Sequence, residues 1–384
     1  MFSKELINKF RALPTPFYFY DVPLLKKTLN YICAEAGRYR YKIHYALKAN
    51  SNKRILEIIS SAGLGADCVS GNEILRAVET GFDPREIVFA GVGKTDREIQ
   101  MGIENNIACF NCESVQELEV IDQLAAGFNK KVNVALRLNP NINPNTHHYI
   151  TTGLEENKFG INIWQLDNVS EKLSLLKNIS LTGLHFHIGS QINDLNVFKD
   201  LALRVNDILK TFRSRGISFK HINLGGGLGV NYEYPDEYPI VDFKEFFRLF
   251  NDSVDITSTQ RIHFEPGRSV VAQCGSLISK VLYIKPGVNT NFAIIDAGMT
   301  ELIRPALYQA YHKIETLTST GEIRKYDVVG PVCETSDTFA KSVYLPELKR
   351  GDLIAIRSTG AYGESMASGY NLRDPVKSYF SDLI

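Results

Sequence analysis

Between residue 41 and about residue 268, short apolar segments rich in β-branched and aromatic residues alternate with longer amphipathic segments. The short segments have the length and composition of buried β-strands. There are eight of them: YKIHYAL, GADCVS, IVFAG, IACFN, VNVALRL, LTGLHFH, HINLGG and RIHFEPG. Eight strands separated by helical segments over about 230 residues favour a closed (β/α)₈ barrel over an open doubly wound sheet.

The segment KRILEIISSAG illustrates the helical pattern. Starting from Ile55, its apolar residues recur at the spacing of one helical face, and Gly63 suits the C-terminal end. The other segments of this type are NEILRAVETG, REIQMGIENN, VQELEVIDQLAAG, LDNVSEKLSLLKN, FKDLALRVNDILKTFRSRG and DFKEFFRLFND. In a (β/α)₈ barrel the loops after the strands build the active site, so we expect the catalytic groups just after the strands.

After residue 270 the pattern changes to β-rich pieces without long helices between them: SLISKVLYIK, FAIIDAG, KYDVVGPV and DLIAIRSTGAYG. This change predicts a separate β domain, sandwich-like or barrel-like, over residues 271–384. The N-terminal run TPFYFYDV is also strand-like, and we expect residues 1–28 to join that domain. The predicted fold is therefore α/β, with a TIM barrel over residues 29–270 and a second, β-rich domain that includes the N-terminal strand.

The composition excludes several classes of function. The 43 lysines and arginines balance the 43 aspartates and glutamates, so the chain has no general attraction for nucleic acid or an anionic membrane. No run approaches the roughly 18 apolar residues of a membrane span, and the start, MFSKELINKF, has no apolar core, so we expect a cytoplasmic protein. The six scattered cysteines predict reduced thiols, and the CFNC pair is too weak a signal to predict a metal site.

Several chemically capable residues follow the predicted strands. They are Lys48, His187, Ser190, Gly225, Gly226, Gly227, Glu265 and Arg268. Consecutive glycines expose backbone N–H groups that can bind a phosphate, and the Ser190 hydroxyl can add a donor. A lysine nucleophile, a phosphate cradle, a carboxylate and a flat imidazole are together what pyridoxal phosphate requires.

Each of these residues also has a simpler interpretation. Taken alone, Lys48 is equally an ordinary lysine that extends from a strand end, the glycines form a tight turn, and His187 is a core histidine. Their joint occurrence at the strand ends favours the cofactor site. In that site Lys48 forms a Schiff base with the aldehyde, Glu265 keeps the pyridine nitrogen protonated, and His187 lies against one face of the ring.

Four of these stretches, YALKAN, HFHIGSQ, GGGLG and EPGR, resemble the ordered signatures of the fold-type III pyridoxal-phosphate decarboxylases, the group related to alanine racemase and eukaryotic ornithine decarboxylase. The resemblance spans nearly the whole chain, from TPFYFYD to GAYGESMAS. Within the group, NPNINPNTHHYITTGLEENKFGI, DAGMTELIRPALYQAYH, VVGPVCETSDTF and GAYG are most similar to the diaminopimelate decarboxylases. The resemblance implies decarboxylation of meso-2,6-diaminopimelate to L-lysine, the last step of lysine biosynthesis, with pyridoxal 5′-phosphate as cofactor. It also implies a homodimer whose active sites straddle the interface.

The same resemblance implies roles for individual residues. Lys48 becomes the Schiff-base lysine, His187 the ring-stacking residue and Glu265 the pyridinium partner. Cys333 and Glu334 would enter from the partner subunit, Cys333 as the proton donor, with Lys48 as the rival donor, and Glu334 as the acceptor for the distal ammonium. The remaining cofactor contacts are Ser190, Gly225, Gly226, Gly227, Pro266, Gly267, Arg268 and Tyr362. The remaining substrate contacts are Arg268, Arg304, Tyr308 and Tyr362.

Three alternatives stay open. A decarboxylase of the same fold that acts on arginine, ornithine or carboxynorspermidine would need acidic groups for a distal cation in place of Arg304 and Tyr308, and the sequence offers only Glu334. A non-catalytic pyridoxal-phosphate carrier typically lacks the β domain predicted for residues 271–384. An amino-acid racemase would be expected to use an arginine rather than Glu265 beside the pyridine nitrogen.

Overall fold

The computed structural model describes residues 2–142 and 158–384. It divides the chain into two compact units. The barrel unit comprises residues 29–229 and 242–267, and the β unit comprises residues 1–28, 230–241 and 268–384. The sequence pattern assigned residues 230–241 to the barrel, but they group with the β unit because they bond to it. Asn231, for example, accepts a hydrogen bond from Gln273, and Asp236 pairs with Arg357.

The helices and strands follow one another along the chain in three groups. The N-terminal elements are α1 (Lys4–Arg11), β1 (Phe17–Tyr20) and α2 (Val22–Arg38). The barrel elements are β2 (Lys42–Ala46), α3 (Lys53–Ser61), β3 (Gly65–Cys68), α4 (Gly71–Glu79), β4 (Ile87–Phe89), α5 (Asp96–Glu104), β5 (Cys109–Cys112), α6 (Val115–Gly127), β6 (Val132–Arg137), α7 (Leu166–Leu173), β7 (Ile179–His185), α8 (Leu195–Ser214), β8 (His221–Asn223), α9 (Phe243–Ser253) and β9 (Arg261–Phe264). The remaining elements are α10 (Arg268–Val271), β10 (Gly275–Pro286), β11 (Asn291–Ile295), α11 (Arg304–Tyr308), β12 (Ile314–Thr316), β13 (Ile323–Val329), β14 (Thr338–Pro346), β15 (Leu353–Ile356) and β16 (Lys377–Phe380).

The strands β2 to β9 form a closed parallel barrel in chain order. Each of the eight strands predicted from the sequence is present, and α3 to α9 occupy the seven predicted helical segments. The predicted (β/α)₈ barrel is therefore confirmed. The helix α2, which precedes the first barrel strand, was not predicted.

Hydroxyl side chains mark where several barrel helices begin. Ser70, Thr95 and Ser114 each accept a hydrogen bond from a backbone N–H three residues further on, at the starts of α4, α5 and α6. In α5 the Glu98 side chain also accepts from the Thr95 backbone N–H, which completes a capping box. These caps start each helix a few residues after its strand, so the intervening loops are short.

The two faces of the barrel strands differ in polarity. Phe264 packs against Phe246, Phe247 and Phe250 of α9, so the outer face of β9 is aromatic. Because side chains alternate along a strand, His263 points to the opposite side, into the barrel. The barrel interior is therefore partly polar, and it is the face from which the candidate site is built.

The β unit contains one sheet of eight strands, whose main path runs β12-β15-β10-β11-β13-β14. Strand β1 pairs antiparallel with β10 and parallel with β16, so the N-terminal strand belongs to this sheet, as predicted. Its aromatic residues pack into a core formed by Phe10, Phe17, Phe19, Ile278, Leu353 and Ala355. Within the described residues, no helix is long and apolar enough to cross a membrane.

Candidate active site

Lys48 lies in a short 3₁₀ turn, Leu47–Ala49, directly after β2. Its neighbours Leu47 and Ala49 are buried, whereas its own side chain is 38% exposed. The Lys48 Nζ atom lies 3.5 Å from Oδ2 of the buried Asp67 at the end of β3. Burial and the Glu265 carboxylate raise the pKa of Asp67, and the Lys48 ammonium opposes that rise. The turn thus holds a primary amine at the C-terminal ends of the strands.

Glu265 directly follows β9. Its side chain is buried and accepts hydrogen bonds from several neighbouring side chains. Its Oε1 atom accepts from Asn223 Nδ2 at 2.6 Å and from Asn111 Nδ2 at 3.3 Å. Its Oε2 atom lies 2.8 Å from His185 Nε2. Burial alone would raise the pKa of Glu265, but His185 and Lys48 lower it below the usual range of a glutamate. The carboxylate is therefore ionised inside the barrel.

The three glycines after β8 form a turn in close contact with neighbouring backbone. Gly225 has a φ of +70°, and Gly226 leaves no room for a side chain because a Cβ atom would collide with the carbonyl oxygen of Glu265. The Gly225 N–H donates to Asn223 Oδ1 at 2.9 Å, and the Gly226 N–H donates to His187 Nδ1 at 3.3 Å. The tight-turn interpretation therefore holds, and the same turn brings bare backbone close to His187 and Glu265.

The loop that follows β7 carries His187 and Ser190 and runs beside the glycine turn. The Ile192 N–H, in the same loop, donates to the Gly227 carbonyl oxygen at 2.9 Å. Burial, together with the positive charges of Lys48 and Arg137, lowers the pKa of His187 well below its ordinary value. His187 is therefore a neutral imidazole at neutral pH.

The loop after Glu265 is joined to the turn that carries Lys48. The Pro266 carbonyl oxygen accepts a hydrogen bond from the Ala46 N–H at 3.2 Å. A Cβ atom on Gly267 would lie only 2.9 Å from the Ala49 Cβ, so glycine allows the two loops to pack closely. The barrel unit thus brings together the predicted lysine, imidazole, glycine turn and carboxylate.

The β unit contains a second cluster, in which two buried arginines meet at one tyrosine. The Arg268 and Arg304 side chains are each about 94% buried, and both donate through Nη1 to the Tyr232 hydroxyl, at 2.7 Å and 3.0 Å. Arg268 also lies over the Tyr362 ring, with 4.8 Å between the guanidinium carbon and the ring centroid. Burial would raise the pKa of Tyr232, but the two guanidinium groups lower it.

His312 supports the second arginine of this cluster. Its Nδ1–H donates to the Arg357 carbonyl oxygen at 2.9 Å, so its Nε2 accepts from Arg304 Nη1, also at 2.9 Å. Burial and the charge of Arg304 lower the pKa of His312 to about 3, so it is a neutral acceptor. Within the described residues no ion pair joins Arg304 to a carboxylate. A buried cation in this arrangement suits a carboxylate ligand.

Cys333 and Glu334 lie on an exposed loop of the β unit. The buried Asp337 stabilises the conformation of this loop. The Asp337 carboxylate accepts from the Val332 N–H at 2.7 Å. The Glu334 Oε1 atom accepts from the Tyr370 hydroxyl at 2.6 Å. The loop therefore presents a thiol and a carboxylate at the surface of the single chain.

Tyr308, the last predicted site residue, ends α11, the short helix that begins with Arg304. Six residues of the barrel-unit and β-unit clusters were not predicted from the sequence: Asp67, Asn111, His185, Asn223, Tyr232 and His312. His185 and Asn223 carried a usable signal, because each stands two residues before a predicted site residue and therefore faces the same side of its strand. Tyr232 carried none, since its partners lie 36 and 72 residues further along the chain.

Known proteins share the sequence pattern and the fold of this chain. A family model described as the pyridoxal binding domain of pyridoxal-dependent decarboxylases matches residues 25–272. A diaminopimelate decarboxylase from Bacteroides thetaiotaomicron is 55% identical over 377 residues, which cover 98% of each chain. The chain belongs to the diaminopimelate decarboxylase family. A family member from Helicobacter pylori is 44% identical and covers 97% of this chain and 91% of its own.

Solved structures of diaminopimelate decarboxylases have the same fold. The Helicobacter pylori enzyme complexed with L-lysine superposes with a TM-score of 0.92 at 41% identity, covering 97% of this chain and 93% of that one. The enzyme from M. jannaschii in co-complex with L-lysine gives a TM-score of 0.90 at 35% identity, covering 98% and 89%. The resemblance to this decarboxylase family, inferred from sequence motifs, is confirmed.

Proposed function

We propose that the protein decarboxylates the D-configured end of meso-2,6-diaminopimelate to give L-lysine and carbon dioxide, the last step of lysine biosynthesis, in the cytoplasm. Family membership supports the reaction class. The observation that carries the substrate assignment is the meeting of Arg268 and Arg304 at the Tyr232 hydroxyl. Two buried guanidinium groups bind a carboxylate in a forked geometry, so they suit the non-reacting carboxylate of a substrate with an amino-acid group at each end.

The cofactor of this reaction is pyridoxal 5′-phosphate, and the donor set of the barrel unit fits it. When bound, the protonated pyridine ring supplies an electron sink for the electron pair that departing carbon dioxide leaves behind. Lys48 provides the amine that attaches the cofactor, and the ionised Glu265 holds the proton on the ring nitrogen. The neutral His187 would contact one face of the ring. The phosphate contacts are Ser190, Gly225, Gly226 and Gly227. The remaining cofactor contacts are Pro266, Gly267, Arg268 and Tyr362.

The remaining residues orient the substrate and move a proton. Tyr308 and Tyr362 assist the two arginines in holding the substrate. Cys333 delivers the proton that replaces the lost carboxylate, with the Lys48 amine as the rival donor. The exposure of Cys333 and Glu334 in the single chain supports a homodimer in which each subunit presents these groups to the other subunit's site, where Glu334 accepts the distal ammonium.

The reaction is tested by measuring lysine and carbon dioxide release from meso-diaminopimelate with added pyridoxal phosphate. The LL isomer, arginine, ornithine and carboxynorspermidine serve as competing substrates in parallel assays. We expect stoichiometric lysine from the meso isomer alone. Release from another substrate, with meso-diaminopimelate inert, would overturn the roles given to Arg304, Tyr308 and Glu334. Recovery of racemised diaminopimelate would favour a racemase, and cofactor binding without any turnover would favour a carrier.

The attachment site is tested separately from the activity. Borohydride reduction of the cofactor-loaded protein, followed by peptide mass spectrometry, should find the pyridoxyl group on Lys48. In Lys48→Ala the modification should disappear, whereas Lys53→Ala, which removes a different and exposed lysine of the barrel unit, should leave it on Lys48. A modification on any other lysine would contradict the assignment.

A further inference from the structure

Within residues 2–142 and 158–384, the hydrogen bonds of Glu265 leave one acceptor position open on its carboxylate. An ionised carboxylate offers about four lone-pair positions, two on each oxygen. Asn223 and Asn111 use both positions on Oε1, and His185 uses one on Oε2. The open position is therefore on Oε2, the oxygen that His185 holds.

Among the described residues, the His185 side chain makes one hydrogen bond, the contact with Glu265 Oε2. His185 ends β7 and is only 1% exposed. An ionised carboxylate only accepts, so the proton of the contact is on His185 Nε2. Within the described part of the chain, Nδ1 of the same ring is buried and has no hydrogen-bond partner. A buried nitrogen without a partner costs stability, so an apolar residue would fill this position more favourably unless the Nε2 donor were needed.

We propose that His185 is a positioning residue that donates to Oε2 of Glu265 and thereby turns the one open acceptor position toward the ring nitrogen of the cofactor. The two asparagines fix the other oxygen, so the imidazole decides the rotation of the carboxylate about its last bond. This inference rests on the proposed function, because it assigns the open position to a pyridinium N–H. His185 itself does not contact the reacting atoms.

A matched pair of variants separates the Nε2 donor from the bulk of the ring. In His185→Gln the amide nitrogen can reach the place of the imidazole Nε2, so the donor is retained. In His185→Met the volume is similar and the donor is lost. If His185→Met does not fold, His185→Asn replaces it, since its amide is too short to reach Oε2. The control is His221→Met, which also removes a ring from the barrel interior but does not contact Glu265.

The readout is the affinity of the cofactor-free protein for two probes, pyridoxal phosphate and its 1-deaza analogue, in which C–H replaces the ring nitrogen. Only the first can donate to Glu265, so the ratio of the two dissociation constants reports that contact alone. We expect the unaltered protein to prefer pyridoxal phosphate by about tenfold or more, the range of a hydrogen bond to a charged group. His185→Met should lose most of this preference, while His185→Gln and His221→Met retain it.

Two results would overturn the inference while leaving the proposed function intact. One is a His185→Met variant that keeps the full preference for pyridoxal phosphate. The other is a His185→Gln variant that loses as much preference as His185→Met, since the ring would then act only as packing. Failure of the unaltered protein to bind pyridoxal phosphate would overturn both the proposed function and the inference. In steady-state kinetics, His185→Met should lower kcat about tenfold with little change in KM.

Discussion

Acid should destabilise the barrel through three histidines that are neutral and packed together inside it. His44 Nε2 lies 3.1 Å from His263 Nδ1, and the His221 ring stacks on the His263 ring with 4.9 Å between centroids. Burial is the largest cause that lowers the pKa of each of the three. The nearby positive charges of Lys42 and Lys220 act in the same direction, while the Glu265 carboxylate partly opposes them for His44.

The magnitude follows from His221, whose pKa is lowered from 6.5 to about 4. As the pH falls through 6.5 the unfolded chain takes up a proton on this residue, whereas the folded chain does so only near pH 4. The unfolded state therefore binds more protons than the folded state between pH 6.5 and pH 4. The free energy of unfolding decreases as the pH decreases through this range. At about 1.4 kcal/mol for each pKa unit, His221 alone accounts for about 3 kcal/mol between neutral pH and pH 4. His44 and His263 add to this loss in the same direction.

The test compares the unaltered protein with His221→Gln, in which the titrating group is replaced by a neutral amide. Urea unfolding is followed by far-UV circular dichroism between about pH 8 and about pH 5. Each protein is compared with itself at different pH values, so any cost of the substitution that does not depend on pH cancels. For each pH unit below 6.5, we expect the unfolding free energy of His221→Gln to fall by about 1.4 kcal/mol less than that of the unaltered protein. Parallel loss of stability in the two proteins would refute the reasoning.

Three further substitutions test other parts of the structure. Tyr232→Phe removes the acceptor shared by the two buried arginines, and it should raise KM for meso-diaminopimelate about tenfold with a smaller effect on kcat in steady-state assays. Gly226→Ala should weaken pyridoxal phosphate binding and lower Tm, because the added methyl group collides with a backbone carbonyl, whereas Gly93→Ala has open space and should change neither. Lys94→Met leaves the Glu117 carboxylate of a buried ion pair without its partner, so it should lower the unfolding free energy measured in urea by about 3–5 kcal/mol. Lys53→Met, which breaks an exposed ion pair, should have no measurable effect.

The barrel and its strand-end chemistry could be predicted from the sequence because both follow local rules. Each strand appears as a short apolar run, and the C-terminal ends of parallel strands meet at one end of a barrel. Residues as distant in sequence as Lys48 and Glu265 could therefore be assigned to one site without knowing any contact. The structure brings Lys48, His187, the glycine turn and Glu265 together within the barrel unit, as this reasoning requires.

The supporting residues could not be predicted in the same way. Asn223 and His185 stand inside strand-like runs, where a single polar residue does not change the apolar pattern, and their role depends on a shared partner far along the chain. Tyr232 lies in a segment with no strand or helix signal. Its partners are Arg268 and Arg304, which lie 36 and 72 residues further along the chain. Long-range pairing of this kind leaves no local trace in a single sequence.

The barrel strands have an apolar outer face and a partly polar inner face. This difference explains how the protein tolerates so many polar groups in its interior. At the end of β9, Phe264 points outward into the aromatic cluster of α9, and the next residue, Glu265, points inward to Asn223 and His185. Apolar burial on the outer face therefore supplies stability, while the inner face is free to hold an ionised carboxylate and neutral imidazoles at the cost of some stability. Because Glu265 directly follows Phe264, the packing of the outer face fixes the backbone from which the Glu265 side chain extends inward. A barrel strand thus positions a buried charge more tightly than a surface loop could.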